Sequence, residues 1–430
     1  MAISNQVCNE QSREPSLIVM LTPDRKIDRR ILLEADSLES SGWRVVIIAM
    51  PLDPGDKDTD ARVVRVAAAS PLSSVGNTVL RTNRWLRRRL PTNGRLIRAA
   101  KAFAWRYLKD QELFFTELFL KSVSDFCPSI VVAHDLPMLP VAVSINQRCG
   151  AKIVYDSHEL FVEQEFSSRE KKRWAEIEAT YIGRCDAVIT INPSIAGELE
   201  KRYGIRDVKV VYNAERAGIP PENKQVFHKA YGLAPETKVI LYQGGLIAGR
   251  NLEALVRAMH FVRNPLLHLV IMGEGNWGSS LQKRAENLGL SDRVHFHRAV
   301  PQQELLAISA CADAGVIPYQ ANCLNNYYCT PNKLFEFIAA GVPIIASNLP
   351  EIRNLLITNR IGLVGDMSSP EKAACLLDDF FSEPGRLQEW KNQIMQARQR
   401  LCWEDKKIVE IFSSLRDSNR SFSCPAAASE

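Results

Sequence analysis

Two glycine-rich turns in the second half of the chain follow predicted strands, and turns of this kind can bind phosphate. Gly244 and Gly245 open the first turn (GGLIAGR), which ends at Arg250, and Glu274 is the centre of the second (GEG). Glycines at a strand-to-helix turn let backbone N–H groups approach an anion, and the dipole of the following helix adds to the attraction. Arg250 could bind diphosphate oxygens with its planar guanidinium. A tight turn without a ligand would need the same glycines, so the pattern leaves both interpretations open.

A predicted helix further along the chain carries a lysine and an acid near its start. The run PNKLFEFIAAG begins with the helix start signal Pro331 and ends with the stop signal Gly341. Lys333 and Glu336 are three residues apart, so they can project from neighbouring positions of the helix. Lys333 could meet phosphate while Glu336 holds ribose hydroxyls. An exposed ion pair with the same spacing is common, and spacing alone leaves that alternative open.

Histidines follow two neighbouring predicted strands in the first half of the chain. His134 and Asp135 come after the fourth strand, and His158 and Glu159 come after the fifth. Because ligands of open α/β sheets bind outside the carboxyl ends of the strands, we expect these side chains to converge on a site. One histidine at a strand end is more often structural than catalytic, whereas two such histidines on adjacent strands favour a site.

Metal sites are not indicated. Ten cysteines occur without a C-x-x-C pair, which predicts reduced structural thiols. Asp56, Asp58 and Asp60 have the Asp-x-Asp spacing that can hold Mg²⁺ or Mn²⁺, but they lie in a loop flanked by Pro and Gly, so we interpret them as a solvated charged loop. His295 and His297 share a strand face and lack a third ligand.

The elements that position these residues alternate between short β-branched runs and longer amphipathic stretches. This order predicts α/β architecture, with parallel sheets covered by helices on both faces. Strands are expected in the first half at 17–21, 44–49, 62–66, 130–133, 152–155, 187–191 and 209–212. In the second half they are expected at 239–243, 267–272, 293–297, 314–317, 342–346 and 361–364. We therefore expect two Rossmann-like, doubly wound domains that face each other across a cleft.

Composition agrees with a soluble protein of two domains. The chain has 430 residues, of which 46% are hydrophobic and 24% are charged. It has no run of about 18 to 20 apolar residues for a membrane span and no apolar secretion signal near its start, so we predict a cytoplasmic protein.

The net charge of +5 comes from one segment. Residues 80–109 contain ten Arg or Lys and no Asp or Glu, so the rest of the chain sums to 5 − 10 = −5. Within residues 81–109 tryptophans and apolar residues alternate with the arginines, which predicts a basic amphipathic helix. It could bind an anionic membrane at the inner face, or it could pack on its own domain with a solvated basic side. No nucleic-acid recognition motif accompanies the charge, so we expect no nucleic acid partner.

The motifs of the second half together resemble a known family. Pro331–Ser347, the turn that ends at Arg250, and Glu351 are similar to the donor-binding half of retaining glycosyltransferases of family 4, which have the GT-B fold. The resemblance covers most of the chain and is best over 239–350. It implies that Gly244, Gly245 and Arg250 hold the diphosphate of a nucleotide sugar, and that Lys333 reaches the same phosphates.

The remaining site assignments also follow from the resemblance. Glu336 would bind the ribose, and Glu274 and Asn332 would line the donor site. His158 would contact the transferred sugar and its leaving phosphate, with His134, Asp135 and Glu159 on the sugar and acceptor side. No cofactor or metal is implied beyond the nucleotide sugar itself, and the acceptor would be a glycan or a lipid-linked molecule.

The domain boundaries combine the sequence pattern with the resemblance. Trp403 and Glu404 resemble the last helix of the family, which crosses back to the first domain. We expect five parts: an N-terminal acceptor-side domain at 1–213, a linker at 214–236, a C-terminal nucleotide-sugar-binding domain at 237–400, the returning helix at 401–416 and a mobile tail at 417–430.

Two positions depart from the family pattern. The family usually has a second acid where this chain has Tyr328, and an arginine often stands where this chain has Gly245. The expected activity is metal-independent transfer of a sugar to a hydroxyl in polysaccharide or glycolipid biosynthesis. The departures motivate one alternative, a catalytically silent nucleotide-sugar-binding subunit of another transferase. A GT-B nucleotide-sugar epimerase is the other alternative.

Overall fold

The protein is described here by a computed structural model, which covers residues 15–53, 55–58, 60–67, 111–216 and 225–417. The predictions for the basic segment at 81–109 and for the tail beyond 417 lie outside the described residues, as does part of the predicted linker. The chain forms two compact units. The first consists of Met1–Asp156, Ile177–Val188 and Asp405–Glu430, and the second consists of Ser157–Glu176 and Ile189–Glu404.

The first sheet has seven strands in the order β3-β2-β1-β4-β5-β6-β7. The strands are β1 (Leu17–Thr22), β2 (Arg44–Ala49), β3 (Val63–Arg65), β4 (Ile130–His134), β5 (Lys152–Ser157), β6 (Ala187–Thr190) and β7 (Lys209–Val210). The pairs β1–β2, β1–β4 and β4–β5 are parallel. Ile18, Val19 and Met20 in β1 are fully buried, as expected for a parallel strand that is covered on both faces. The β4–β5 register pairs His134 with Asp156.

The second sheet has six strands in the order β10-β9-β8-β11-β12-β13. The strands are β8 (Lys238–Gln243), β9 (Leu267–Met272), β10 (Val294–His297), β11 (Ala314–Ile317), β12 (Ile344–Ser347) and β13 (Gly362–Gly365). Its pairs are parallel as well. The strand order reverses between β8 and β11, and such a reversal is where doubly wound sheets bind ligands.

Helices connect the strands in the described residues. The α-helices before β8 are α1 (Arg29–Glu39), α2 (Gln111–Val123), α3 (Leu139–Cys149), α4 (Ser168–Tyr181), α5 (Pro193–Tyr203) and α6 (Val226–Tyr231). Those after β8 are α7 (Leu252–Phe261), α8 (Gly278–Asn287), α9 (Gln302–Ser309), α10 (Leu324–Tyr327), α11 (Asn332–Ala340), α12 (Pro350–Asn359), α13 (Pro370–Phe380), α14 (Arg386–Arg400) and α15 (Asp405–Asp417). Short 3₁₀ turns occur at Leu136–Met138, Phe161–Glu163 and Ile182–Arg184.

The returning helix α15 packs within the first unit. The Ser37 hydroxyl of α1 donates to Asp405 Oδ1 at 2.7 Å. The guanidinium of Arg416 lies 5.2 Å from the centroid of the Trp43 ring. These contacts hold the end of the described chain against α1 and the segment that joins α1 to β2.

The sequence prediction of two parallel α/β domains is confirmed, and each of the thirteen expected strands is present with ends within two residues of the expected ones. The largest shift at a strand start is at β12, expected at 342 and observed at Ile344. Gly341 ends α11 with φ 73°, and Pro343 has no N–H to give to the ladder, so the strand begins after it.

Candidate functional site

Two glycine turns lie side by side at the carboxyl ends of β8 and β9. The Gly244 N–H donates to Met272 O at 3.0 Å, and the Leu246 N–H donates to Glu274 O at 2.8 Å. A Cβ atom at Gly273 would lie 1.9 Å from Gly244 O. Gly273 also has φ +152°, which side-chain-bearing residues rarely adopt. The two turns are therefore in direct contact, and this contact requires glycine in the second turn.

Lys333 lies beneath the first turn. Its side chain is buried, and a Cβ atom at Gly244 would lie 3.2 Å from Lys333 Nζ. The Nζ atom is 3.8 Å from the centroid of the Tyr242 ring. Among the described residues, no hydrogen-bond partner of Lys333 Nζ is found. The amino group thus lies against aromatic faces, and its donors are left for a ligand.

Glu336 is held in the core beside Lys333. The two side chains are only 8% and 6% exposed, so the alternative of a surface ion pair is wrong. Glu336 Oε2 accepts a hydrogen bond from Gln243 Nε2 at 2.6 Å. Gln243 Oε1 in turn accepts from the Ser309 hydroxyl at 2.6 Å. This chain of hydrogen bonds fixes the carboxylate at the carboxyl end of β8.

Helix α11 approaches the sheet closely enough to bring Lys333 and Glu336 to its edge. A Cβ atom at Gly315 in β11 would lie 2.4 Å from the Phe337 ring, so only glycine permits this spacing. The helix begins after Pro331 and ends at Gly341, as the sequence predicted.

Arg250 adds a second positive charge to the same place. Its guanidinium carbon lies 4.5 Å from the centroid of the Tyr319 ring, and Lys333 Nζ lies 4.9 Å from that centroid. Burial lowers the pKa of Lys333 well below its ordinary value, and the charge of Arg250 lowers it further, while Glu336 opposes the shift. Two cations that lie on one aromatic ring favour a bound anion.

The other predicted donor-side residues have different surroundings. Asn332 Oδ1 accepts a hydrogen bond from Asn213 Nδ2 at 2.8 Å, so this side chain ties the start of α11 to the segment after β7. Glu274 and Gly245 are exposed on the two turns.

His158 and Glu159 lie in the second unit, which also carries the glycine turn. Asn325 Nδ2 donates to Glu159 Oε2 at 2.8 Å, and the Leu160 N–H donates to Asn325 Oδ1 at 3.0 Å. The Gln164 side-chain amide donates to the other oxygen of Glu159. Burial raises the pKa of Glu159, against the hydrogen bond from Asn325 and the charges of His158 and Arg250.

The same segment reaches the turn itself. A Cβ atom at Gly249 would lie 3.1 Å from Glu165 Oε1. Asn325, Gln164 and Glu165 are thus residues near the site that the sequence analysis missed. The available signal was the asparagine-rich loop after β11, at residues 322–326.

His134 and Asp135 lie in the first unit, at the carboxyl end of β4. His134 Nδ1 is 3.3 Å from Asp156 Oδ2. Asp135 has φ 64° and ψ 161°, and its N–H donates to Asp156 O at 3.0 Å. A non-glycine residue in this conformation costs about 1–3 kcal/mol, and such strain clusters at functional sites.

Two carboxylates of the Asp-x-Asp loop, those of Asp58 and Asp60, bind arginines. Asp60 Oδ2 is 2.5 Å from the Arg62 guanidinium, and Asp58 accepts from Arg65 Nε at 3.1 Å. These hydrogen bonds lower the pKa of both carboxyl groups. The expectation that no metal binds remains a prediction.

In the predicted histidine pair on β10, His295 and His297, the ring of His295 contacts the ring of His268. His295 Nε2 lies 3.0 Å from His268 Nδ1, and the two rings stack. Burial lowers the pKa of His295 to about 4.

Within the part of the chain that the structure describes, no helix is both long enough and apolar enough to cross a membrane.

Comparison with known proteins agrees with this geometry. The family described as Glycosyl transferases group 1 matches residues 223–398, and the family described as Glycosyl transferase 4-like domain matches residues 27–214. A GDP-mannose-dependent alpha-(1-6)-phosphatidylinositol monomannoside mannosyltransferase from Mycolicibacterium smegmatis is 23% identical over 218 residues, which are 48% of this chain and 56% of the relative. The chain thus spans little more than half the length of this curated relative.

Solved structures match over nearly the whole chain. A sucrose-phosphate synthase from Thermosynechococcus elongatus has a TM-score of 0.70 at 16% identity, covering 94% of this chain and 98% of that one. HepE from Anabaena, in complex with UDP and glucose, has a TM-score of 0.66 at 15% identity, covering 94% and 99%. The two matched families, the two parallel sheets and these neighbours show that the chain belongs to the group 1 glycosyltransferases and has the GT-B fold.

Proposed function

We propose that the protein is a retaining glycosyltransferase that moves a sugar from a nucleoside diphosphate sugar to an acceptor hydroxyl. The observation that carries this proposal is the pair of cations beside the glycine turns, with Arg250 and Lys333 both within 5 Å of the Tyr319 ring centroid. A diphosphate would place negative charge against both cations. Glu336, fixed by Gln243, is the acceptor for ribose hydroxyls.

The chain's residues would act on the leaving group. As the bond from the sugar to the diphosphate breaks, negative charge grows on the phosphate oxygens. Arg250, Lys333 and the backbone N–H of Gly245 would stabilise it without a metal ion. We assign no enzymic nucleophile. The departing phosphate would deprotonate the acceptor hydroxyl on the face it leaves, which keeps the anomeric configuration.

The acceptor is proposed to be a glycan or a lipid-linked molecule. Two observations support this class: a matched relative is named for its action on a phosphatidylinositol monomannoside, and residues 80–109 carry ten basic and no acidic residues. That basic segment could hold the protein at an anionic membrane surface on the cytoplasmic side.

The experiment has a binding arm and a transfer arm. Thermal-shift and calorimetric titrations with UDP, GDP and ADP, and with their glucose and mannose derivatives, identify the donor. The purified chain is then incubated with the radiolabelled donor and membrane lipid extract. We expect one nucleotide to bind and label to enter the acceptor. Binding without turnover would support a silent subunit, and sugar interconversion without an acceptor would support an epimerase. No binding in the panel would refute the donor site.

A further inference from the structure

Three buried side chains in the first unit form a chain of polar contacts that ends at His134. Arg30 Nε donates to Asp156 Oδ2 at 2.8 Å, and Arg30 Nη2 donates to Asp156 Oδ1 at 2.8 Å. Asp156 Oδ2 is also 3.3 Å from His134 Nδ1. All three side chains are buried. One carboxylate therefore joins the guanidinium to the imidazole.

The local structure places these residues at the carboxyl edge of the first sheet. Arg30 is in the first turn of α1, where its backbone N–H donates to the capping carboxylate of Asp28 at 2.7 Å. The β4–β5 register sets His134 beside Asp156. The strained Asp135 follows directly. The guanidinium is thus held by the start of a helix, and the imidazole by the end of a strand.

Stability alone gives a weak reason for this arrangement. An ion pair taken fully out of water loses about as much hydration energy as it gains in attraction, and apolar residues often replace such pairs without loss. A carboxylate that accepts from Nδ1 of a histidine, in contrast, selects the tautomer with Nε2 unprotonated and fixes the ring orientation. Arg30 keeps that carboxylate ionised and immobile, because its two donors bind both oxygens.

We infer that Arg30 is a positioning residue for His134, acting through the Asp156 carboxylate. The inference rests on the proposed function and on the expectation, drawn from the family resemblance, that His134 lies on the sugar and acceptor side. Arg30 itself touches neither donor nor acceptor in this scheme. Its loss would leave a buried carboxylate without its cation, and the imidazole without a fixed tautomer.

The test uses Arg30→Lys, Arg30→Met and His134→Ala, alone and combined, with the donor and acceptor that the binding and transfer arms identify. We expect Arg30→Met to lower kcat by about 10- to 100-fold, the range known for partners that orient metal-bound histidines. Arg30→Lys should be intermediate, because a single ammonium replaces the two-donor fork. The affinity for the nucleoside diphosphate should stay unchanged in both. In the His134→Ala background, Arg30→Met should cause no further loss of kcat.

The matched control is Arg62→Met. Arg62 also holds an aspartate with two hydrogen bonds in the same unit, from Nε to Asp60 Oδ1 at 2.9 Å and from Nη2 to Asp60 Oδ2 at 2.5 Å. The Arg62→Met variant should leave kcat unchanged. A second readout is independent of turnover: nitrogen NMR of the seven histidines, with His134 assigned by its absence in His134→Ala. His134 should carry its proton on Nδ1 in the wild type and lose this preference in Arg30→Lys.

The outcomes separate the two claims. If the wild-type chain transfers sugar while Arg30→Lys and Arg30→Met retain full kcat, the positioning role is refuted and the proposed function stands. An additive loss in the double variant, or an unchanged His134 tautomer in Arg30→Lys, also refutes it. If the wild-type chain transfers no sugar with any donor, both claims fail. If Arg30→Met does not fold, Arg30→Lys and the NMR readout decide.

Discussion

Lys333 Nζ lies 3.8 Å from the centroid of the Tyr242 ring. The ring belongs to β8 and the lysine to α11, so the contact joins the two elements that carry the glycine turn and the donor-side acid. A charged Lys333 in this place loses its hydration and is repelled by Arg250, and only aromatic faces compensate for part of this cost. The site is therefore less stable without an anion than with one.

Lys333→Met should make the protein more stable and unable to bind a nucleotide. The thioether side chain fills similar space without a buried charge that lacks a hydrogen-bond partner in the described residues. We expect the free energy of unfolding to rise by about 1–3 kcal/mol. Denaturant unfolding measures the gain, and calorimetry with the panel's nucleotide measures the loss of binding.

Lys283→Met is the control for this prediction, since Lys283 is exposed on α8. It should change stability by less than about 0.5 kcal/mol and leave binding intact. A Lys333→Met protein that is destabilised, or that binds the nucleotide as well as the wild type, would contradict the assignment of Lys333 to the donor phosphates.

Nucleotide binding should take up a proton at pH values between the pKa of Lys333 in the free protein and its pKa in the complex. The pKa of Lys333 is lowered in the free protein because of burial, and a bound diphosphate would raise it again. Between these two pKa values the free lysine is neutral and the bound lysine is charged, so affinity should fall as pH rises. Calorimetry in buffers of different ionisation enthalpy measures the uptake, which should vanish in Lys333→Arg.

The same shift predicts the pH dependence of folding. The unfolded chain binds a proton at Lys333 up to its ordinary pKa of 10.5, whereas the folded protein releases it at lower pH. Between the lowered pKa of the folded protein and 10.5, the contribution of Lys333 to the free energy of unfolding should therefore rise with pH. Denaturant unfolding of wild type and Lys333→Met across the window measures it. If the difference in free energy of unfolding between the two proteins does not change with pH, the lowered pKa of Lys333 is refuted.

The fold could be predicted from the sequence because the strands of buried parallel sheets are short apolar runs with clear stop signals. Gly341 and Pro343, for example, mark the end of α11 and the start of β12. The site could be predicted only where neighbours in sequence are neighbours in space. The spacing of Lys333 and Glu336 gave their adjacency, but their burial depends on Gly315, which lets the helix approach the sheet.

The contacts of Glu159 show why the rest could not be predicted. Its partner Asn325 is 166 positions away, and neither residue belongs to a periodic pattern. The segments that carry Glu159 and Asn325 come together only in the folded protein. Local helix and strand propensities therefore cannot predict this contact. The conformation of Asp135 was missed for a related reason, since positive φ is expected of glycine and is imposed here by the surroundings.

Gly273→Ala should disrupt the donor turn. The added Cβ would lie 1.9 Å from Gly244 O, so the first turn must move. We expect a loss of about 3 kcal/mol in stability and a loss of nucleotide affinity. Gly197→Ala is the control, because a Cβ atom at this glycine in α5 would meet no other atom within 4 Å. Equal stability and affinity of the two variants would refute the requirement for glycine at 273.

Asn325→Leu should move the acidic limb of the pH profile of transfer to higher pH. The Asn325 side chain donates to Glu159 Oε2, and this hydrogen bond stabilises the ionised carboxylate against the burial that raises its pKa. Without the bond the pKa of Glu159 rises further, so more alkaline conditions are needed to ionise it. The measurement is kcat/KM against pH. Asn326→Leu is the control, since the described hydrogen bonds of Asn326 are made by its backbone N–H and C=O groups. If both variants keep the acidic limb of the wild-type pH profile, Glu159 does not act in transfer as an ionised group. If both variants shift the limb equally, the effect comes from the loop and not from the Asn325 hydrogen bond.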